Sequence, residues 1–508
     1  MPDQLSAQGT PLPAVNLPSR QLRLAVVFVF CVTLIAWVPM CSHYVPVADD
    51  SADGHLLDHG VWSFALSALR TSGAWRYLGL LIGSLAARHT SLYGPVVVLA
   101  HATVGVLYLL ACCRLLGNLS VSLALTLLFA AFPMAAEAVS WAAASDLVVV
   151  ETLFLLTVLL FCRFGFERRR QLPCLVASFA LTLLAQLVQE NLLFAFAAVG
   201  FIVWIPRNAP VARNIRTMAI SRYAGFGPTL GALAFLVCYK LLPGTSPTKT
   251  VSIHLVSAIS PLLRQYSMLC FLGPWRSATT RRLLFWGWQW WMIALAAVAG
   301  AGATLALALR SEAPATTPSD GSEAAAGSLP SPRLLGYLLA LLFGATAIYA
   351  VAGGYSLDSR KRYPLLPLTL WIAGWVWLHV FPRKCTTAPA ARWNTLPTLA
   401  LAVVGVLSTW LYVDVWRYEC RRQAAMTDFC LRHDISGVVR IDGASDVYQA
   451  WPQAASDWGF RLDGPWTPDP MLDGVGSKRL TSQRSGPPMV LRYDPQTDSW
   501  SISPSTDQ

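Results

Sequence analysis

Long apolar blocks alternate with short polar segments along the chain. Most blocks run for about 17 to 25 residues, which is the length that an α-helix needs to cross a bilayer. Single spans are predicted at about 22–41, 92–114, 119–133, 139–162, 223–242, 285–309, 334–352, 365–381 and 395–415. A longer block, 173–205, is interrupted at Gln189-Glu190-Asn191 and predicts two short spans that turn at this polar point. The pattern therefore predicts an all-α polytopic membrane protein with about 11 transmembrane helices.

The polar segments divide the chain into three parts. Residues 1–20 are polar and rich in Pro, and we expect a disordered, cytoplasmic N-terminus. Residues 21–416 hold the spans, with a flexible cytoplasmic linker at 311–332 that is rich in Ala, Ser, Thr, Pro and Gly. In the first loop, apolar residues recur at helical spacing over 55–88, which predicts helices lying along the membrane interface. Residues 417–508 contain strand-like runs between Pro- and Gly-rich turns and predict a small α+β tail outside the membrane.

The charged residues indicate the class of protein and its orientation. Hydrophobic residues make up 55% of the chain and charged residues only 13%, whereas soluble domains carry about 25% charged residues. The net charge is +11, but Lys and Arg are scattered among loops, which disfavours nucleic acid as a partner. Arg163 and Arg168-Arg169-Arg170 form the densest basic cluster. Because cytoplasmic loops are enriched in Lys and Arg, Arg20 and Arg23 before the first span predict a cytoplasmic N-terminus and an external first loop, and this cluster agrees with that orientation.

Acidic residues near the predicted external face are the candidate catalytic groups. Asp49 and Asp50 follow the first span closely, and a carboxylate beside a bilayer is costly unless it faces water, a cavity or a partner. One of them could be the base for an acceptor hydroxyl, while the other holds the acceptor or a metal. A solvated loop with three acids, including Asp53, is the alternative. Glu137 and Glu190 are candidates for acceptor or metal contact, and their structural alternatives are a helix N-terminal charge and a link between two spans.

Basic residues on the same predicted face are candidates for binding a phosphate. Arg360, Lys361 and Arg362 precede a span, and a guanidinium group binds phosphate with fork geometry. Arg76 is a further candidate. Contact with lipid headgroups is the alternative for these cations. His101 lies within a span, where we interpret it as a buried, hydrogen-bonded histidine.

Four patches of the sequence carry a family resemblance. They begin at Trp75-Arg76-Tyr77-Leu78, at Phe132-Pro133, at Gln189-Glu190-Asn191 and at Ser359-Arg360-Lys361-Arg362-Tyr363-Pro364. The second patch continues to Glu137-Ala138-Val139-Ser140-Trp141 and is similar to the motif His-Pro-x-x-x-Glu-Ala-Val-x-Trp. In this order, the patches resemble membrane glycosyltransferases of the GT-C fold, most closely the tetratricopeptide-linked protein O-mannosyltransferases and their bacterial relatives. The resemblance covers about 22–382, without the repeats, and Phe132 and Gln189 stand where that family has His and Lys.

The resemblance implies a function for the predicted membrane domain. A GT-C-like bundle would transfer a sugar, with inversion, from a polyprenyl-phosphate donor to a hydroxyl or amine of a lipid, glycan or protein acceptor. The family's catalytic acidic motif corresponds to Asp49 and Asp50. A divalent metal, Mg or Mn, is a candidate cofactor. The expected location is the bacterial inner membrane, with the C-terminal tail in the periplasm.

Two other functions stay open at this stage. A glycan polymerase or ligase that uses a diphosphate-linked donor usually has a large loop late in the chain, whereas the acids of this chain come early. A transporter or flippase of lipid-linked sugars would carry inverted repeats and charges at mid-membrane. The sequence shows no such repeat, and its charges gather at one predicted face, which disfavours a transporter.

Overall fold

The protein is a bundle of apolar helices followed by a small sheet. The computed structural model describes residues 19–41, 78–79, 81–82, 85, 89–133, 137–140, 144–165, 167–204, 222–241, 332–351, 362–380, 398–410, 412–413, 439–442, 489–494 and 499–504. The helices are α1 (Ser19–Trp37), α2 (Thr90–Leu116), α3 (Leu119–Ala130), α4 (Glu137–Ser140), α5 (Asp146–Phe164), α6 (Gln171–Val188), α7 (Leu193–Val199), α8 (Gly227–Leu241), α9 (Pro332–Val351), α10 (Arg362–Val380) and α11 (Thr398–Trp410). Short 3-10 turns occupy Val38–Cys41, Arg168–Arg170, Glu190–Leu192, Gly200–Trp204 and Tyr223–Phe226.

Several of these helices have the length and composition of membrane spans. In the described part of the chain, four are long and apolar enough to cross a bilayer: Arg20–Cys41, Leu92–Leu116, Asp146–Phe164 and Gln171–Val188. Large apolar side chains also face outward, as at Val27, Val96 and Phe343, each more than half exposed. An apolar outer surface on this scale suits lipid rather than water. The prediction of a helical protein with helices able to span a membrane is therefore confirmed, whereas the number of about 11 spans stays a prediction.

Local sequence explains the sharp turn between α2 and α3. Gly117 ends α2 in the left-handed region, at φ 70°, where a residue without a Cβ is favoured. The next residue, Asn118, caps α3, and its side-chain oxygen accepts from the Val121 N–H at 3.0 Å. Two residues thus end one helix and begin the next.

Close contacts between neighbouring helices show the direction in which each helix runs. The backbone at Gly94 of α2 lies against Met40, and Gly105 lies against Val29 and Thr33, so α1 and α2 are antiparallel. Tyr337 Oη of α9 donates to Val199 O of α7 at 3.0 Å. In the same way, Gly344 of α9 packs against Phe194 and Ala195, Gly231 of α8 against Phe179 and Thr182 of α6, and Gly227 of α8 against Leu175 and Ser178. These pairs make α7 and α9 antiparallel, and α6 and α8 parallel.

A hydrogen-bonded seam joins α2 to α10, which run in the same direction. Tyr363 Oη meets His101 Nδ1 at 2.6 Å, and Tyr108 Oη donates to Pro367 O at 2.8 Å. One turn further, Trp371 Nε1 donates to Cys112 Sγ at 3.0 Å. The α10 partners are four residues apart, so they lie on one face of the helix. We call the end of the bundle where α1 ends and α2 begins the Cys41 end, and α10 also begins toward it.

The described helices agree with most of the predicted spans. The polar break at Gln189 separates α6 from α7, as predicted for two short spans. The predicted span 139–162 differs, because the chain forms the separate short helix α4 and begins α5 only at Asp146. An Asp at a first turn is favoured by the helix dipole, which explains the later start. Residues 285–309 and the linker at 311–331 lie outside the described residues.

A three-stranded sheet forms in the C-terminal tail. Strand β1 (Val439–Asp442) pairs parallel with β2 (Met489–Asp494), which pairs antiparallel with β3 (Ser499–Pro504). Two of these strands coincide with the predicted strand-like runs. The helical part of the predicted α+β tail stays a prediction.

The close approach of α1 and α2 makes Gly94 intolerant of a side chain. A Cβ at Gly94 would overlap the carbonyl oxygen of Met40, so we expect Gly94→Ala to lower the free energy of unfolding by about 1–3 kcal/mol. Gly336→Ala is the matched control, because a Cβ there meets nothing within 4 Å. The midpoint of thermal unfolding is measured for both purified variants in detergent. Equal midpoints for the two variants would contradict this packing.

Candidate functional site

The Cys41 end of the bundle is the place where the predicted site residues join the described helices. Cys41, the last described residue before the segment that carries Asp49 and Asp50, lies beside Gly94 near the start of α2. Tyr93 Oη donates to Val139 O at 3.1 Å, which holds α4 against the start of α2. Glu137 begins this short helix. The first loop and Glu137 are therefore attached at the same end.

The beginning of α5 and the end of α6 meet at this end too. Gly79 lies between them, since a Cβ added there would overlap Val188 O and lie 3.2 Å from Asp146 Oδ2. Asp146 is the first residue of α5 and is nearly buried. Its carboxylate is favoured there because the N-terminus of a helix carries partial positive charge. Asp146 thus adds a further acid to the Cys41 end.

Glu190 follows α6 after one intervening residue, Gln189. Gln189 is extended, at φ −162° and ψ 140°, and its N–H donates to Ala185 O at 2.8 Å. The Glu190 side chain is half-buried, and its backbone oxygen accepts from the Leu193 N–H. The polar run therefore turns the chain back toward the bundle, as expected for a link between spans. Its position two residues beyond α6 keeps Glu190 close to the Asp146 end of α5.

His101 is buried and hydrogen-bonded, which confirms its structural interpretation. Its Nε2 lies 3.1 Å from Ala130 O. Because a carbonyl oxygen only accepts, Nε2 carries the hydrogen in this assignment, and Nδ1 accepts from the Tyr363 hydroxyl. Tyr363 directly follows Arg362, the first residue of α10. The start of the predicted phosphate-binding helix is thus anchored in the core.

The residue that sequence reasoning missed is Glu151. It lies in α5, is fully buried, and neither carboxylate oxygen has a hydrogen-bond partner among the described residues. The signal was available, since Glu151 is the one charged residue in the apolar run 147–162. This position is an exception to the predicted gathering of charges at one face.

Basic residues mark the opposite end, which we call the basic end. Helices α1, α6, α8 and α9 begin there, and α2 and α5 end there. The arginines at these helix ends and in the adjoining turns are Arg20, Arg23, Arg114, Arg163, Arg168, Arg169, Arg170, Arg222 and Arg333. In the described helices, Lys240 and Arg362 are the basic residues on the Cys41 side. One end of the bundle is thus basic, and the acids Asp146 and Glu190 are at the other.

Other predicted site residues lie outside the described residues. They are Asp49, Asp50, Arg76, Arg360 and Lys361, while Glu137 and Arg362 are described by their backbone alone. No group of three His, Cys, Asp or Glu suited to a metal occurs in the described part of the chain. The predicted divalent metal stays a prediction.

Comparison with protein-family models, with curated proteins and with solved structures found no match.

Tyr363 offers a test of the anchor beneath the candidate site. Tyr363→Phe leaves His101 Nδ1 without its donor inside the core, so we expect a loss of about 1–3 kcal/mol in the free energy of unfolding. Tyr223→Phe is the chemically matched control, because the Tyr223 side chain is exposed. Chemical denaturation in detergent micelles compares the two variants. If Tyr363→Phe is as stable as Tyr223→Phe, the hydrogen bond does not hold α10.

Proposed function

We propose that the chain is an integral-membrane glycosyltransferase of the GT-C type. It moves a sugar from a polyprenyl-phosphate donor to an acceptor hydroxyl or amine. The observation that carries this proposal is the convergence at the Cys41 end of the segments leading to Asp49-Asp50, Glu137, Glu190 and Arg362. These segments are far apart in the sequence, and a donor with an anionic phosphate and a neutral sugar needs both cations and carboxylates in one place.

The charge distribution supports an orientation for the enzyme. Cytoplasmic ends of spans are enriched in Lys and Arg, so the basic end would face the cytoplasm. The Cys41 end would then face the periplasm of a bacterial inner membrane, where lipid-linked sugars are presented. The tail with its three-stranded sheet would lie on that side too.

Each group has a defined task in the proposed reaction. Asp49 or Asp50 takes the proton from the acceptor as its oxygen attacks the anomeric carbon, and one base suffices for inversion. Glu137 and Glu190 hold the acceptor or a metal. Arg360, Lys361, Arg362 and Arg76 bind the donor phosphate, which charge-assisted hydrogen bonds from guanidinium favour. A divalent metal held by the acids would stabilise the leaving phosphate.

Glu151 favours a second candidate, a transporter of lipid-linked sugars. Ionisable residues buried within spans often mark substrate or proton pathways. Proteoliposomes that contain the purified protein and a labelled polyprenyl-phosphate sugar separate the two functions. Transfer of the label to an acceptor supports the glycosyltransferase, whereas movement of the intact lipid between leaflets supports the transporter.

The acidic loop gives the direct mutational test. We expect Asp49→Asn or Asp50→Asn to lower turnover about 10²–10⁴-fold, because the acceptor proton loses its base. Asp53→Asn, in the same loop, is the control and should retain turnover. Consumption of a labelled polyprenyl-phosphate sugar is the measurement. Full turnover in both Asp49→Asn and Asp50→Asn would refute the proposed mechanism.

The basic segment before α10 gives a second test. The double variant Arg360→Gln/Arg362→Gln should raise the KM for the donor about tenfold or more, since each charge-assisted hydrogen bond contributes about 1.5–3 kcal/mol. The double variant Arg168→Gln/Arg169→Gln removes the same charge at the basic end and should leave this KM unchanged. The KM for the donor is measured for both double variants from initial rates over a range of donor concentrations. Equal KM values in the two double variants would assign the phosphate to other residues.

A further inference from the structure

Two arginine side chains share one aromatic ring at the basic end. The guanidinium carbon Cζ of Arg163, in the last turn of α5, is 5.2 Å from the centroid of the Phe164 ring. The Cζ atom of Arg170, in the turn before α6, is 4.5 Å from the same centroid. Because cations are attracted to the face of an aromatic ring, Phe164 holds these two like charges close together. We call Arg163, Phe164 and Arg170 the Phe164 site.

A buried glutamine holds the backbone around this site. Gln171 is almost fully buried, and its Nε2 donates to Gly165 O at 2.9 Å and to Glu167 O at 3.2 Å. Its Oε1 accepts from the Ala224 N–H at 3.1 Å. One side chain thus joins the segment between α5 and α6 to the turn that precedes α8. The backbone that carries both arginines is therefore fixed to the bundle from two directions.

A third arginine lies beside the same segment. Nη1 of Arg222 donates to the carbonyl oxygen of Val203. The Val203 side chain in turn packs against Gly165, which directly follows Phe164. Three stretches of chain that are distant in the sequence therefore bring arginines to one part of the basic end.

One acid accompanies these cations in the segment between α5 and α6. Glu167 Oε2 lies 2.7 Å from Arg170 Nε, and both side chains are about half exposed. A guanidinium group has N–H donors on more than one edge, so this ion pair leaves Arg170 able to bind an anion. Since residues 163–170 contain four arginines and this single acid, the segment keeps a net positive charge.

Exposed apolar side chains lead away from the Phe164 site along the outer surface of the bundle. On α6, Leu172, Val176 and Leu184 are exposed, and their spacing in multiples of four residues puts them on one face. On α5, Leu156 is exposed and lies two helical turns before Arg163. Apolar surface of this kind suits acyl chains, and it starts at the level of the arginines. The arrangement therefore fits a ligand with an anionic head and apolar chains.

We propose that the Phe164 site binds the headgroup of an anionic phospholipid, whose acyl chains lie along the exposed faces of α5 and α6. The phosphodiester accepts charge-assisted hydrogen bonds from Arg163 and Arg170, and Arg222 adds to the positive potential. A zwitterionic lipid carries an ammonium group that these arginines repel, so the site selects lipids of net negative charge, such as phosphatidylglycerol. This binding is a property beyond glycosyl transfer, at the opposite end of the bundle from the Cys41 end.

Native mass spectrometry of the full-length protein in detergent measures this binding. The probes are phosphatidylglycerol and phosphatidylcholine with identical oleoyl chains, and we expect the wild type to bind phosphatidylglycerol more tightly. Arg163→Gln/Arg170→Gln should raise the Kd for phosphatidylglycerol about tenfold or more, because both headgroup contacts are lost. Arg20→Gln/Arg23→Gln is the matched control. It removes two exposed arginines at the same end, from the start of α1, and should leave this Kd unchanged.

A second variant separates a built site from diffuse positive charge. Phe164→Leu keeps every charge but removes the ring that holds both guanidinium groups, so the Kd for phosphatidylglycerol should rise about threefold or more. It also keeps the test valid if Arg163→Gln/Arg170→Gln does not fold. Glycerol 3-phosphate, which carries a phosphate but no acyl chains, should not displace the lipid at millimolar concentration.

Four results would each overturn the proposal. They are equal affinity for the two lipids, an equal rise in Kd in Arg20→Gln/Arg23→Gln, an unchanged Kd in Phe164→Leu, and displacement of the lipid by glycerol 3-phosphate. The last result would assign the site to a free phosphate ester. Since no sugar donor is present, all four are independent of whether the chain is a glycosyltransferase.

Discussion

The bundle depends on the hydrogen bonds around His101. This one side chain joins α2 to α3 through Ala130 O and to α10 through Tyr363. Trp37 Nε1 of α1 donates to the same Ala130 oxygen at 2.8 Å, so both lone pairs of this oxygen accept hydrogen bonds. The Trp37 ring also packs edge to face against the His101 imidazole. In lipid there is little hydrophobic drive between helices, so such buried polar contacts and close packing decide which helices associate. Four helices are therefore fixed at one level, just beneath the Cys41 end.

The hydrogen bonds around His101 explain how segments far apart in the sequence reach the same end of the bundle. Because α10 is held to α2 at Tyr363, α10 begins at the level where α1 and α3 end. The close approach of Gly79 to α5 and α6 sets Asp146 and Glu190 on the same side. The described helix ends thus bring the segments that lead to the proposed donor site to one end of the bundle.

Parts of this architecture could be predicted from the sequence because their causes are local. Gly117-Asn118 encodes the turn between α2 and α3, and the polar run at Gln189 encodes the break between α6 and α7. The pairing of His101 with Tyr363 could not be predicted, since the two are 262 residues apart and no periodicity links them. Glu151 was missed for another reason: an isolated acid in an apolar run shows neither its burial nor its neighbours until the helices are packed. The catalytic role of Asp49 and Asp50 rests on resemblance and stays a prediction.

A structure of the full chain with a bound polyprenyl-phosphate sugar would test the central claim, that the Cys41 end is a glycosyl-transfer site. The account predicts the phosphate within hydrogen-bonding distance of Arg360 or Arg362 at the start of α10, and the anomeric carbon facing Asp49 or Asp50. A phosphate bound at the basic end, or an anomeric carbon with neither Asp49 nor Asp50 beside it, would contradict the account.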